Sequence, residues 1–182
     1  MITQREPFMC LPGGLVIYDK LCSLDFLKKN KTLSTVVSAK WKHRNLFLEN
    51  LSPLIKFDAY GGYGIKSLVG ANYQGPVKNK ENGIKDYSYS IALENSSQQN
   101  YFTEKIIDCL LLWTIPIYWG CPNIGDFFPK HSYYNIDLDK PEDVINIINR
   151  PIEKKHIEAM KEARNLILNK YNIWVAVEQL LK

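Results

Sequence analysis

Thr103, Glu104 and Lys105 stand together in YFTEKIIDCLLLWTIPIYWGCP, residues 101–122, where a polar cluster gives way to an almost wholly apolar run. Thr103 suits an N-cap, which places Glu104 and Lys105 in the first turn of a helix. A helix N-terminus presents unbonded N–H groups and a partial positive charge, so it attracts phosphate. Lys105 adds a cation there. Glu104 suits the helix dipole, and its carboxylate can also accept two hydroxyl hydrogen bonds, as a ribose offers. A second group of the same kind is KHRN, residues 42–45, where Arg44 opens a helix directly after a strand. Its guanidinium is shaped to fork across a diphosphate. Brought to one place, these residues describe a pocket for a nucleoside diphosphate.

The elements around them decide whether they meet. LSTVVSA (33–39) reads as a buried strand, HRNLFLENLSPL (43–54) as a short helix broken near Pro53, and IKFDAYGGYG (55–64) as a strand ending in a glycine-rich turn. From Lys66 to Asp86 the glycines and polar residues predict a long loop. YSYSIALEN (87–95) is a strand, SSQQN a loop, Thr103–Leu112 a helix and TIPIYWG (114–120) a short buried strand. SYYNIDL (132–138) predicts another strand, PEDVINIIN (141–149) a helix with Pro141 at its first position, and 151–169 a longer helix. GLVIYDKL near the N-terminus reads as a short strand. A last helix is expected over 171–181, where Ile173, Trp174, Val177, Leu180 and Leu181 give it an apolar face. An exposed face of that kind marks an interface. Strands alternating with helices mean an α/β fold with a parallel sheet. Ligands of such sheets bind outside the carboxyl ends of the strands, here Ser38, Gly61–Gly62, Glu94–Asn95 and Gly120.

Composition narrows the alternatives. The 182 residues suffice for one core, and 46% hydrophobic with 23% charged residues is ordinary for a globular domain. A net charge of +4 favours anions only weakly, and Lys28, Lys29 and Lys31 read as solvated surface rather than a nucleic-acid face. Cys10, Cys22, Cys109 and Cys121 form no CxxC pair, so a zinc site is not expected, and Cys109 reads as a small core residue. No apolar run reaches the length of a membrane span, since Asp108 and Pro116 interrupt the longest. MITQREPFMC is not a signal peptide. GGYG reads as a tight turn, and there is no glycine-rich phosphate loop or nucleophile motif. His43, His131 and His156 have no catalytic pattern beside them, and His156 is expected on a solvated helix face.

LENSSQQNYFTEKIIDCLLLWTIPIYWGCPNIGDFFP closely resembles the donor-binding signature of the α-1,3-fucosyltransferases, glycosyltransferase family 10. The likeness extends upstream through VVSAKWKHRN and DAYGGYG and downstream to SYYNIDL, about residues 33–150. It implies the Rossmann-like C-terminal half of a GT-B enzyme that binds GDP-fucose and, in the complete protein, transfers fucose with inversion to a glycan hydroxyl. Carried across, Arg44 and Lys105 neutralise the diphosphate, Glu104 holds the ribose, Tyr101 lies along the nucleotide, and Glu94 and Asn95 shape the pocket floor. Ala39 stands where the family often has Asn, and Leu93 where Phe is usual. The resemblance implies a second, N-terminal domain that binds the acceptor and supplies the carboxylate base. Residues 1–30 are expected to be an extension or an interdomain remnant, with 31–182 the donor domain. The acceptor half is then expected from a separate domain or a second copy. Asp19 and Asp25 are the carboxylates of the first stretch, and nothing singles out either as a base. No DxD-type metal motif is visible, so positive side chains and no cofactor are expected to stabilise departing GDP. The setting expected is cytoplasmic, of bacterial or viral type, or Golgi for a piece of a longer eukaryotic enzyme. Another nucleotide sugar, or a non-catalytic nucleotide- or glycan-binding module, are the competing readings.

Overall fold

The computed structural model of the chain describes residues 29–171. The strand expected over GLVIYDKL and the apolar helix expected at the C-terminus beyond Tyr171 lie outside those residues.

Six strands form one sheet: β1 (Lys31–Val36), β2 (Asp58–Tyr60), β3 (Tyr73–Gly75), β4 (Tyr87–Leu93), β5 (Ile115–Trp119) and β6 (Tyr134–Asn135), in the order β3-β2-β1-β4-β5-β6. Every neighbouring pair is parallel. The helices are α1 (Lys42–Leu51), α2 (Tyr63–Val69), α3 (Glu104–Leu111), α4 (Asp143–Ile148) and α5 (Lys154–Asn169). The expected Rossmann-like α/β architecture is what the chain adopts. Central strands of a parallel sheet are covered on both sides and read as continuous apolar runs. β4 does so: six of its seven residues are buried. The core gathers around it from Phe47 and Leu48 of α1, Ile106 and Leu110 of α3, and Ile115 and Ile117 of β5.

Three expectations are corrected. The long loop over 66–86 contains α2, a short helical turn at Gly70–Asn72, the edge strand β3 and another turn at Lys80–Gly83. α2 is only seven residues long, follows two glycines and ends at Gly70 with φ +52°. With ψ at −119° this is a positive-φ conformation that a residue with a Cβ rarely adopts, so glycine fits there. The strand expected over 132–138 shrinks to Tyr134–Asn135. Local turn bonds take its ends, Ser132 Oγ donating to the Pro129 carbonyl and the Asp139 N–H to Asp137 Oδ1.

His156 is buried, not solvated. Its Nδ1 accepts the N–H of Glu153 at 3.0 Å, half of a capping box that starts α5, and its Nε2 meets the Tyr134 hydroxyl at 2.9 Å. An accepting Nδ1 requires the neutral ring, with its proton on Nε2. Burial, with Lys155 and His131 nearby, depresses the pKa of His156 below 6.5, against the opposing charge of Glu153. The unfolded chain therefore binds the proton better. The stability contributed is complete above pH 6.5 and is lost as the pH falls through the depressed folded value. Thermal melts from pH 7.5 to 5.0 are expected to show a fall that His156→Gln flattens; identical pH dependence in the two proteins would refute this.

Candidate functional site

The strand order reverses between β1 and β4, and each strand's chain leaves the sheet there in a different direction. Diverging connections open a crevice at the carboxyl ends. A cavity of about 470 Å³ occupies it, walled by Ser38 and Trp41 of the β1–α1 connection, Asn95 after β4, and Lys105 and Cys109 of α3. Arg44, Lys40, Lys80 and Glu104 also reach it, so four cationic side chains face one carboxylate. Such a lining suits an anion.

Arg44 enters from the first turn of α1 and is 2% exposed. Its Nη1 donates to the Leu93 carbonyl at 3.2 Å and to Asn95 Oδ1 at 2.8 Å. Nη2 donates to the carbonyl of Ser38 at 2.9 Å and to its hydroxyl at 3.3 Å. One fork thus ties the end of β1 to the end of β4. Only Nε is buried without a partner. Burial lowers the pKa of Arg44, opposed by the charges of Glu94 and Glu104.

The start of α3 is organised from beneath. Glu94 is fully buried, and its two oxygens accept the N–H of Thr103 at 2.8 Å and its hydroxyl at 2.7 Å. Thr103 is the N-cap, as expected from sequence. The Lys105 ammonium lies 2.9 Å from Thr103 Oγ1, 3.2 Å from Glu104 Oε1 and 3.3 Å from Glu94 Oε2. The pair at the helix start is therefore three charges, two carboxylates sharing one ammonium. Burial alone would raise the pKa of Glu104, but Lys105 and Lys80 more than compensate and hold it low. Gly120 passes so close above Glu94 that a Cβ there would press on its side chain and sit 2.7 Å from the Tyr118 hydroxyl. That close approach, not turn formation, is why the strand end carries glycine.

Arg44, Asn95, Glu104 and Lys105 are brought together at the cavity. Glu94 stands behind Lys105 and Thr103, outside the lining, and Tyr101 is half-buried on the loop before α3, its N–H on the Gln98 carbonyl. Of the other strand ends only Ser38 lines the space; Gly61–Gly62 and Gly120 do not.

The family model for the C-terminal domain of glycosyltransferase family 10 (fucosyltransferase) matches residues 26–159. The chain belongs to glycosyltransferase family 10. It is 37% identical over 100 residues to an α-(1,3)-fucosyltransferase, FucT, of Helicobacter pylori, covering 52% of this chain and 20% of that protein. It is 32% identical over 76 residues to α-(1,3)-fucosyltransferase B of Drosophila melanogaster, covering 41% of this chain and 17% of that one. Among solved structures it is similar to an α1,3-fucosyltransferase crystallised with GDP-fucose, with a TM-score of 0.52 and 26% identity over 81% of this chain and 41% of that chain. The chain spans about a fifth of the length of these curated relatives.

Trp41 and Lys80 are among the cavity residues of this family 10 domain that the sequence did not single out. Trp41 is 41% exposed at the N-cap of α1, where its side chain makes no capping bond. Lys80 pairs with Asp108 at 2.6 Å. The signal for Lys80 was in α3: a carboxylate within an apolar helix needs a cation from elsewhere. Among the described residues no group of three or more His, Cys, Asp or Glu is placed to hold a metal, and no helix is long and apolar enough to cross a membrane.

Proposed function

We propose that this chain is the donor half of a fucosyltransferase, binding GDP-fucose in the crevice between β1 and β4. The observation that carries the reading is the convergence of Arg44, Asn95, Glu104 and Lys105 on that crevice in a family 10 domain. Arg44 and Lys105 face the diphosphate, Glu104 takes the ribose hydroxyls, and Tyr101 borders the nucleotide. Glu94 acts from beneath by fixing Thr103 and Lys105. In this reading residues 31–182 are the donor domain and 1–30 a connecting segment.

The acceptor hydroxyl of a glycan attacks the anomeric carbon from the face opposite the phosphate. The bond from that carbon to the β-phosphate oxygen breaks, and GDP departs with the electron pair. The side-chain cations that line the crevice stabilise that charge. The hydroxyl proton passes to a carboxylate base supplied, with the acceptor site, by a second domain or a partner chain.

Calorimetry with GDP, UDP, ADP and CDP is the test: GDP is expected to bind best. Lys105→Ala should weaken GDP about tenfold or more, the equivalent of one charge-assisted hydrogen bond, and guanosine much less. A preference for UDP would point to another nucleotide sugar. GDP binding without transfer or donor hydrolysis, once the acceptor domain is present, would identify a binding module instead.

A further inference from the structure

We infer that Lys80, held in place by Asp108, reads the acceptor edge of the donor's nucleobase and selects guanine over adenine. The inference rests on the donor reading above and assigns a specificity-determining residue within it.

The argument begins with a local conflict. Asp108 sits on α3 among Ile106, Ile107, Cys109, Leu110 and Leu111, all buried, and is itself 3% exposed. A carboxylate in such a place is unfavourable unless paired. Its Oδ2 has Lys80 at 2.6 Å, while Oδ1 is buried with no partner. The pair therefore does little for the helix that hosts it. What it achieves is to fix Lys80, whose side chain remains one-third exposed and lines the cavity. Burial works against the charge of Lys80, but Asp108 overrides it and holds the pKa above 10.5, so the group is a permanent cation.

An ammonium carries three N–H donors. Asp108 takes one, and the Glu104 carbonyl, at 3.5 Å, takes another weakly. At least one is left for a ligand. The wall beside it is different from the Arg44 side of the cavity. Ile84 is apolar, and burial raises the Cys109 thiol to about 12, so it stays neutral. A fixed cation beside neutral side chains, Ile84, Ser90 and Cys109, suits the edge of a flat ring carrying carbonyl oxygen. It lies next to Glu104, the residue assigned to the ribose, so a base attached to that ribose is within its neighbourhood. Guanine offers N7 and O6, two acceptors, on one edge; adenine offers N7 and an amino donor. An ammonium with no acceptor of its own attracts the first and opposes the second.

Three nucleotides test this on the 182-residue chain by calorimetry: GDP, IDP, which keeps O6 and N7 but lacks the 2-amino group, and ADP. The expected order is GDP and IDP alike, with ADP roughly tenfold weaker. Lys80→Met combined with Asp108→Asn removes both charges and leaves no buried carboxylate unpaired. That double variant should bind all three nucleotides alike, near the wild-type affinity for ADP. Asp108→Asn alone should shrink the GDP-to-ADP ratio while leaving ADP affinity unchanged, which a merely structural role would not do. An equal loss for all three nucleotides would overturn the inference by placing Lys80 at the phosphates, and an unchanged ratio would overturn it by showing that the base is read elsewhere. A wild-type chain that binds none of the three would overturn the donor reading and this inference with it.

Discussion

Replacing Glu94 by alanine is expected to destabilise the domain by about 3–5 kcal/mol, the range for removing one partner of a buried ionic group. The carboxylate is wholly inside the protein. It accepts both the N–H and the hydroxyl of Thr103 and neutralises Lys105 at 3.3 Å. Alanine leaves the N-cap without its acceptor and an ammonium with one carboxylate where it had two. Because Thr103 starts α3, the loss reaches Glu104 and Lys105, and GDP affinity is expected to fall by more than tenfold along with stability. Glu94→Gln keeps one acceptor oxygen but no charge, and should lie between wild type and alanine. Urea unfolding gives the stability and calorimetry the affinity. A Glu94→Ala protein within about 1 kcal/mol of wild type would show that α3 starts without this support, since that is an ordinary single-bond effect.

The second large effect is at Arg44. Arg44→Ala strips donors from the carbonyls of Ser38 and Leu93 and from Asn95 Oδ1, all served by one guanidinium. Each buried group left unsatisfied costs about 1–3 kcal/mol, with relaxation and water recovering part of it. A net loss above about 2 kcal/mol is expected, together with a loss of GDP affinity larger than that of guanosine. Arg44→Lys should rescue little of either. An ammonium is a point charge and cannot span acceptors arranged for a planar fork. Wild-type stability in Arg44→Lys would mean that charge alone, not the fork, joins the two strand ends. Equal losses for GDP and guanosine would confine Arg44 to architecture and remove it from the phosphate.

The long patterned segments were legible because their signals are local. β4 is a continuous apolar run, α3 begins with a threonine cap, and β5 is bounded by Thr114 and Gly120. The family signature spans these same elements. α2 was not legible: seven residues bracketed by glycines look like loop, although Ile65, Leu68 and Val69 repeat at helical spacing. Sequence singled out Arg44, Asn95, Glu104 and Lys105, which the fold brings to one cavity, but it did not show their partners. Sequence offered Lys105 as a cation for phosphate, whereas the fold ties it between Glu94 and Glu104. It suggested Arg44 as a free fork, whereas four of its five N–H donors are used by the protein. Contacts of that kind join residues 49 or 51 positions apart, and no short window contains them. Lys80 and Asp108 were hidden in the same way, as was the reach of His156 back to Tyr134.

The pairing of β1 with β4 also bears on how the protein is made. Their facing serines, Ser34 and Ser90, are 56 residues apart in the chain. Contacts of long sequence separation slow folding, because the closure entropy of the intervening chain must be met before the contact forms. On a ribosome β1 and β2 emerge first and can pair, while the other edge of β1 stays open until β4 arrives. That open edge is half of the future crevice wall. Unpaired strand edges invite pairing with other chains. The same adjacency that creates the crevice therefore makes it a late product of folding, and places the greatest exposure to misassembly at the strand on which Ser38 and Arg44 depend.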